Sequence, residues 1–169
     1  MARTDTEVVR KGVTEQKVVT IDYMGTGDYE TISEAIEAVE PSTKIMVLRG
    51  TYYENLRIDK PGITIEGEPG VKLVVSDGDA VVFNSNIGYL RNIEITRGCM
   101  DGIKDHGVNI KRGIITIESC VISDCFDAAI AVHSGASAYV HKCNLRRPCG
   151  VLQSLAYPLP RCSSSSTTK

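Results

Sequence analysis

The sequence predicts an all-β fold, a right-handed single-stranded parallel β-helix, or solenoid, with a short N-terminal capping α-helix. Strands of three to five residues alternate with Gly, Pro, Asn and Asp, which leaves no room for crossover helices. An apolar pattern recurs every 23 to 27 residues, which indicates a repeat architecture. Large rings are scarce, with no Trp and two Phe in 169 residues, so layers of small β-branched residues are expected in the core.

The repeat is clearest in three segments that begin at Leu90, Ile117 and Val140, 27 and 23 residues apart. Each segment reads apolar-x-x-(Ile or Cys)-x-apolar, and the closing apolar residues keep the same spacing: Ile95, Ile122 and Leu145. A single turn of this length cannot bury its own apolar side chains, so the pattern predicts stacked turns with like residues in contact. Cys120 is therefore expected to lie against Cys143.

Residues 17–41 are predicted to form the N-terminal cap. The segment 18–21 reads as a strand, and Thr31 with Glu34 forms a capping-box pattern at the start of a helix. The apolar residues that follow have helical spacing: Ile32, Ala35, Ile36 and Val39. Pro41 is expected to end this helix.

The length of the chain predicts one domain, and the composition of its two ends predicts that both are irregular. Residues 1–16 are polar and are predicted to be a flexible arm. Residues 17–150 form the predicted β-helix domain, with its turns in 42–150. Residues 151–169 are rich in Ser, Thr and Pro and are predicted to be a disordered tail, which leaves the last turn of the coil uncapped.

Charge and cysteine usage narrow the function classes. The net charge is −2 and the pI about 5.9, so nucleic acid is not the expected partner. The sequence shows no apolar leader and no membrane-length apolar run, which predicts no membrane association and a cytoplasmic or nuclear location. In such a reducing compartment the six Cys are expected to be thiols. No pair has zinc-ligand spacing, so neither a metal nor a cofactor is expected.

The first third of the domain carries a family resemblance. Residues 25–36 read Gly-Thr-Gly-Asp-Tyr-Glu-Thr-Ile-Ser-Glu-Ala-Ile, and residues 45–55 read Ile-Met-Val-Leu-Arg-Gly-Thr-Tyr-Tyr-Glu-Asn. Both segments resemble the opening of pectin methylesterases, which implies a strand-and-helix cap on a right-handed β-helix. The motifs that supply the nucleophilic and acid aspartates of that family have no match in this sequence.

The second half is similar to another branch of the pectin-lyase-like superfamily. Residues 114–125 and 128–143 resemble the parallel β-helix repeats of β-helix F-box proteins and of the Shc-binding midbody protein. That resemblance implies a coil that serves as a recognition surface. No F-box helices accompany the repeats, so the resemblance does not extend to a ubiquitin-ligase role.

Polar residues collect in two turns of the repeat, and an insertion lengthens the first of them at residues 99–107. The candidate catalytic residues are the carboxylates and histidine of these turns: Asp101, Asp105, His106, Asp124 and Asp127. The candidate binding residues are Asp101, Lys104, Asp105, His106 and His133. Asp and His at such positions are more often turn formers with solvated side chains, so the structural role is favoured over catalysis.

Three functions remain in competition. The favoured one is a non-catalytic recognition module that binds a protein segment or a glycan along a flat sheet face. The alternative is a carbohydrate-active enzyme, an esterase, hydrolase or lyase that acts on polysaccharide. The third is a truncated piece of a longer coil, which would self-associate end to end through the uncapped C-terminal turn.

Overall fold

The fold is given by a computed structural model that describes residues 16–97, 105–123 and 127–146. Asp101, Lys104 and Asp124, nearly all of the predicted arm and the whole predicted tail lie outside these ranges. The elements run in this order: β1 Val18–Ile21, α1 Ile32–Ala38, β2 Lys44–Val47, β3 Thr51–Tyr52, β4 Leu56–Ile58, β5 Ile63–Gly67, β6 Lys72–Val75, β7 Val81–Arg91, β8 Glu94–Arg97, β9 His106–Glu118, β10 Val121–Ser123, β11 Ala128–Val132, β12 Ala136–His141 and β13 Asn144–Leu145. In the described ranges no helix is long and apolar enough to cross a membrane.

The strands form a coil with three faces, and the strand pairings among the described residues are parallel. The first face stacks β1, β2, β5, the second half of β7, the second half of β9, and β12. The second face stacks β3, β6, β8, β10 and β13. The third face stacks β4, the first half of β7, the first half of β9, and β11. This arrangement is the predicted parallel β-helix, and the described ranges contain one short helix, α1.

The predicted repeat is confirmed residue by residue. On the first face Leu90 pairs with Ile117, and Ile117 pairs with Val140. The column also runs back through Ile65 to Ile45, so the turns before residue 70 stack in the same register. Those earlier partners are 20 and 25 residues apart, so the shortest turn falls below the predicted range.

Burial follows the columns up to the last described turn. Leu90 and Ile117 are fully buried, whereas Val140, the next residue of that column, is 38% exposed. The other two faces show the same change, since Leu145 is 46% exposed and Val132 47% exposed at the ends of their columns. Apolar side chains that face the interior are therefore open at this end of the described coil. Self-association through it stays a prediction.

The corner between the first and second faces uses left-handed backbone. Asn92, Ser119 and Lys142 occupy it on successive turns, with φ values of 54°, 55° and 52°. This conformation is unfavourable for residues with a Cβ, and Asn tolerates it better than most. The turns are also tied here, because the Asn92 and Ser119 backbone N–H groups donate to carbonyls one turn away.

The corner between the third and first faces requires a glycine. Gly113 has a φ of 87°, and a Cβ built on it would lie 2.1 Å from the Ser85 carbonyl oxygen and 2.5 Å from that of Asn86. No side chain fits such a gap, so this backbone approach depends on Gly113. The strand register shifts between Phe83 and Ile87 at the same corner.

The capping helix is held at both ends by the turn beneath it. Thr31 is the N-cap and accepts from the Glu34 N–H at 3.2 Å, as predicted. The Glu54 carboxylate accepts from the N–H groups of Ile32 and Ser33 at 2.9 and 2.8 Å. At the other end the Lys60 ammonium donates to two carbonyls, those of Glu37 and Val39, at 2.6 Å each. Both charges have the sign that the helix dipole favours.

We expect Glu54→Gln to lower the free energy of unfolding by about 1–3 kcal/mol, because it replaces charge-assisted hydrogen bonds at two helix N–H groups. Glu37→Gln is the matched control, since Glu37 is exposed on the same helix. Urea unfolding of both variants measures the effect. Equal stability of the two variants would show that the Glu54 contact does not hold the cap.

We expect Ser119→Gly to raise the free energy of unfolding by about 0.5–1 kcal/mol, because glycine adopts positive φ without steric cost. Ser119→Val should lower it, since a β-branched residue suits this backbone least. Thermal melts of the two variants against the parent chain provide the measurement. A lower melting temperature for Ser119→Gly would contradict the strain argument.

Candidate functional site at the corner between the second and third faces

The corner between the second and third faces carries a shallow groove and a cluster of polar side chains. The groove has a volume of about 260 Å³ and is lined by Tyr53, Glu54, Asn55, Val74, Val75 and Ser76. Tyr53 is 79% exposed, so its ring is available at the edge of this groove. The Asn55 side-chain N–H₂ donates to the carbonyls of Asp77 and Asp79 at 2.8 and 2.9 Å, which joins the groove to the next turn.

Asp79 is the centre of the polar cluster. Its Oδ1 accepts from the His106 backbone N–H at 2.9 Å and contacts His106 Nδ1 at 2.7 Å. Its Oδ2 accepts from the Asn109 side-chain N–H₂ at 2.6 Å. Because Nδ1 faces a carboxylate, it carries the proton and donates to Asp79. The cluster therefore fixes the plane and tautomer of the His106 ring.

The next turns extend the cluster on either side of the histidine. Asp105 is buried, and its Oδ2 accepts from the Gly78 N–H at 3.1 Å. The Asp105 carbonyl accepts from the Asp127 N–H at 3.2 Å. His106 Nε2 lies 3.6 Å from Asp127 Oδ2, so the ring stands between the carboxylates of Asp79 and Asp127.

Hydrogen bonding determines the charge of Asp79. Burial opposes its ionisation, but the hydrogen bonds from Asn109 and His106 outweigh burial and hold the pKa of this carboxyl below its usual range. Asn109 is itself 5% exposed, and among the described residues its buried Oδ1 has no hydrogen-bond partner. Within that part of the chain, the Asn109 side chain is held by one hydrogen bond, to the ionised Asp79 carboxylate.

The structure brings three of the predicted site residues together: Asp105, His106 and Asp127. His133 is separate from them, because it follows the opposite end of β11 and is exposed next to the 134–135 turn. Asp101, Lys104 and Asp124 lie outside the described residues, so their place in the site stays a prediction.

Sequence reasoning missed the groove residue Tyr53 and the central carboxylate Asp79. A signal for Asp79 exists in the sequence, because it precedes His106 by 27 residues, one full repeat. The apolar pattern that defines the repeat does not mark polar positions such as Asp79. Tyr53 has no such signal, since a single Tyr beside a buried Tyr52 looks like any alternating strand residue.

The described residues offer limited metal chemistry. Within residues 16–97, 105–123 and 127–146 no group of three or more His, Cys, Asp or Glu side chains has an arrangement that could hold a metal ion. The side chains described at the corner offer hydrogen-bonding groups and the exposed Tyr53 ring.

Comparison with known proteins shows a structural similarity without a family assignment. No family model and no curated protein matches the chain. Two crystal structures of the pectin methylesterase from Aspergillus niger do match. The deglycosylated form has a TM-score of 0.55 at 18% identity and covers 80% of this chain, and the chain spans 58% of that protein. The penultimately deglycosylated form has a TM-score of 0.53 at 20% identity, with coverages of 85% and 70%.

At this identity the likeness shows the fold. The chain has the right-handed parallel β-helix fold of these two structures, as the sequence predicts. A fold of this kind does not fix an activity, so function must be argued from the corner site.

We expect acid to weaken the fold through Asp79. Its folded-state pKa lies below the unfolded value, so its stabilising contribution is complete above the unfolded pKa and is lost as pH falls through the folded pKa. The free energy of unfolding, measured between about pH 6 and 2, should fall less steeply in Asp79→Asn than in the parent chain. Asp77→Asn, which removes another carboxylate at the same corner, is the matched control. Identical slopes for Asp79→Asn and the parent chain would contradict the assignment.

Proposed function

We propose that this chain is a non-catalytic recognition module that binds an extended glycan along the groove at the corner between the second and third faces. The observation that carries the proposal is the exposed Tyr53 ring beside a 260 Å³ groove with a polar rim. An aromatic ring offers an apolar surface to the C–H face of a sugar.

The rim supplies partners for sugar hydroxyl groups. Ser76 lines the groove, and Asp127 on the same corner is about half exposed at its side chain. Glu54 also lines the groove, but its carboxylate already accepts from the helix N–H groups. Shallow sites with one aromatic platform and several hydrogen-bonding groups suit a flexible polar chain better than a compact apolar ligand. The structural neighbours also bear the name of an enzyme of pectin, a polysaccharide.

The contacts of Asp79 and Asp105 within the fold support the non-catalytic role. Among the described residues, Asp79 accepts three hydrogen bonds from neighbours within the fold, and Asp105 supports the backbone of the preceding turn. A nucleophile or general base needs a lone pair that faces substrate. These contacts instead tie successive turns together.

An enzyme remains the second candidate because of one observation. The Asp79–His106 hydrogen bond orients the imidazole. Nε2 lies 3.6 Å from Asp127 Oδ2, too far for a hydrogen bond, so its lone pair can accept a proton from water or substrate. On this alternative, His106 would act as the base in hydrolysis of a polysaccharide ester, oriented by Asp79.

We expect Tyr53→Ala to weaken glycan binding about tenfold, because it removes the stacking platform while leaving the coil intact. The probes are oligomers of methyl-esterified pectin and of polygalacturonate, and isothermal titration calorimetry gives the dissociation constants. Tyr139→Ala is the matched control, since Tyr139 is 64% exposed on the first face, away from the groove.

Three outcomes would overturn the proposal. If the parent chain binds neither oligomer, the claim that it binds a glycan is rejected. Equal losses in Tyr53→Ala and Tyr139→Ala place the binding elsewhere. Release of methanol from methyl-esterified pectin by the parent chain, abolished in His106→Gln, establishes the enzyme in its place.

A further inference from the structure

Two cysteines stack at the corner between the first and second faces. Val121 pairs with Asn144 in parallel register, so the residues before them, Cys120 and Cys143, occupy the same position on adjacent turns. Ile93 occupies this position one turn earlier. Adjacent strands lie about 4.8 Å apart, which is within the Cα separation of about 4.4–6.8 Å that a disulfide spans.

Both thiols are free and face the inside of the same corner. Cys120 Sγ lies 3.4 Å from the Glu118 carbonyl and 3.6 Å from that of Leu90. Cys143 Sγ makes the equivalent contacts one turn later, at 3.3 Å from the His141 carbonyl and 3.5 Å from the Ile117 carbonyl. The two cysteine side chains therefore point in the same direction on successive turns.

The two thiols differ in access and in acidity. Cys120 is fully buried, whereas Cys143 is partly exposed on the last described turn. A hydrogen bond between the two sulfurs lowers the pKa of Cys143 to about 6, and the same bond together with burial raises the pKa of Cys120. Cys143 is thus the thiol that an oxidant meets first and the better nucleophile near neutral pH.

We propose that Cys120 and Cys143 form a reversible disulfide, with a small-molecule disulfide of the glutathione type as the oxidant. The Cys143 thiolate attacks one sulfur of the oxidant, which forms a mixed disulfide and releases one thiolate. The Cys120 sulfur then attacks the Cys143 sulfur, gives up its proton and releases the second thiol. The two protein thiols are oxidised by two electrons, and the oxidant is reduced to two thiols.

The bond would fasten the last described turn to the coil. Among the described turns, this last one has open apolar side chains, Val140 and Leu145, and its strands β12 and β13 pair with strands of the preceding turn only. A covalent link across the corner restricts the unfolded chain and keeps this turn docked. The coil would then be firmer in an oxidising setting than in a reducing one.

The experiment treats the full chain with oxidised glutathione, followed by alkylation and non-reducing peptide mapping. We expect a cross-linked peptide pair that contains Cys120 and Cys143, a mass loss of two hydrogens, and a higher melting temperature that dithiothreitol reverses. A second chain carrying Ser in place of Cys99, Cys125, Cys149 and Cys162 should give the same product.

Single substitutions separate the two steps. Cys120→Ser should stop at a glutathione adduct on Cys143, and Cys143→Ser should leave Cys120 unmodified because it is buried. A stable adduct on Cys143 in the parent chain, with Cys120 still a thiol, would overturn the proposal. The proposal would also be overturned if Cys120 and Cys143 both stayed reduced in the parent chain. That outcome is decisive even if the chain with four Ser substitutions fails to fold.

Discussion

Each apolar side chain inside this coil rests on the side chain one turn away, because a single turn has no core of its own. Parallel pairing sets the distance between turns, and the register sets which residue meets which. The column from Ile45 to Val140 keeps its register over five strands although the turns differ in length. Helix, corners and polar cluster all take their positions from this stacking.

The apolar columns were accessible from the sequence because stacking imposes a period on them. Leu90, Ile117 and Val140 were placed in one column from spacing alone, and the short helix from its capping residue and stripe. The contacts of Glu54 and Lys60 with the helix were not accessible. Each joins residues 21 or more positions apart through one side chain, and a single contact of that kind leaves no periodic trace.

The corner cluster lies between these two cases. Asp79 and His106 are one repeat apart, so the lattice that builds the core also brings them together. Polar partners of this kind are hidden from an apolar pattern search, yet they obey the same spacing. Such a pair can bind a ligand only through lone pairs that its contacts within the fold leave free. Which lone pairs are free depends on local geometry, and the residue spacing of the repeat does not encode that geometry.

The turns of this coil measure 20, 25, 27 and 23 residues while the strands stay in register. The variation in turn length is therefore confined to the corners, and the strands keep the same pairing from turn to turn. A coil of this design tolerates the splicing of foreign peptide at its corners, where no column is displaced. Foreign loops could therefore be grafted at the corners of this coil. Gly113 marks the exception, because the backbone there is too close to the neighbouring turn for any added side chain.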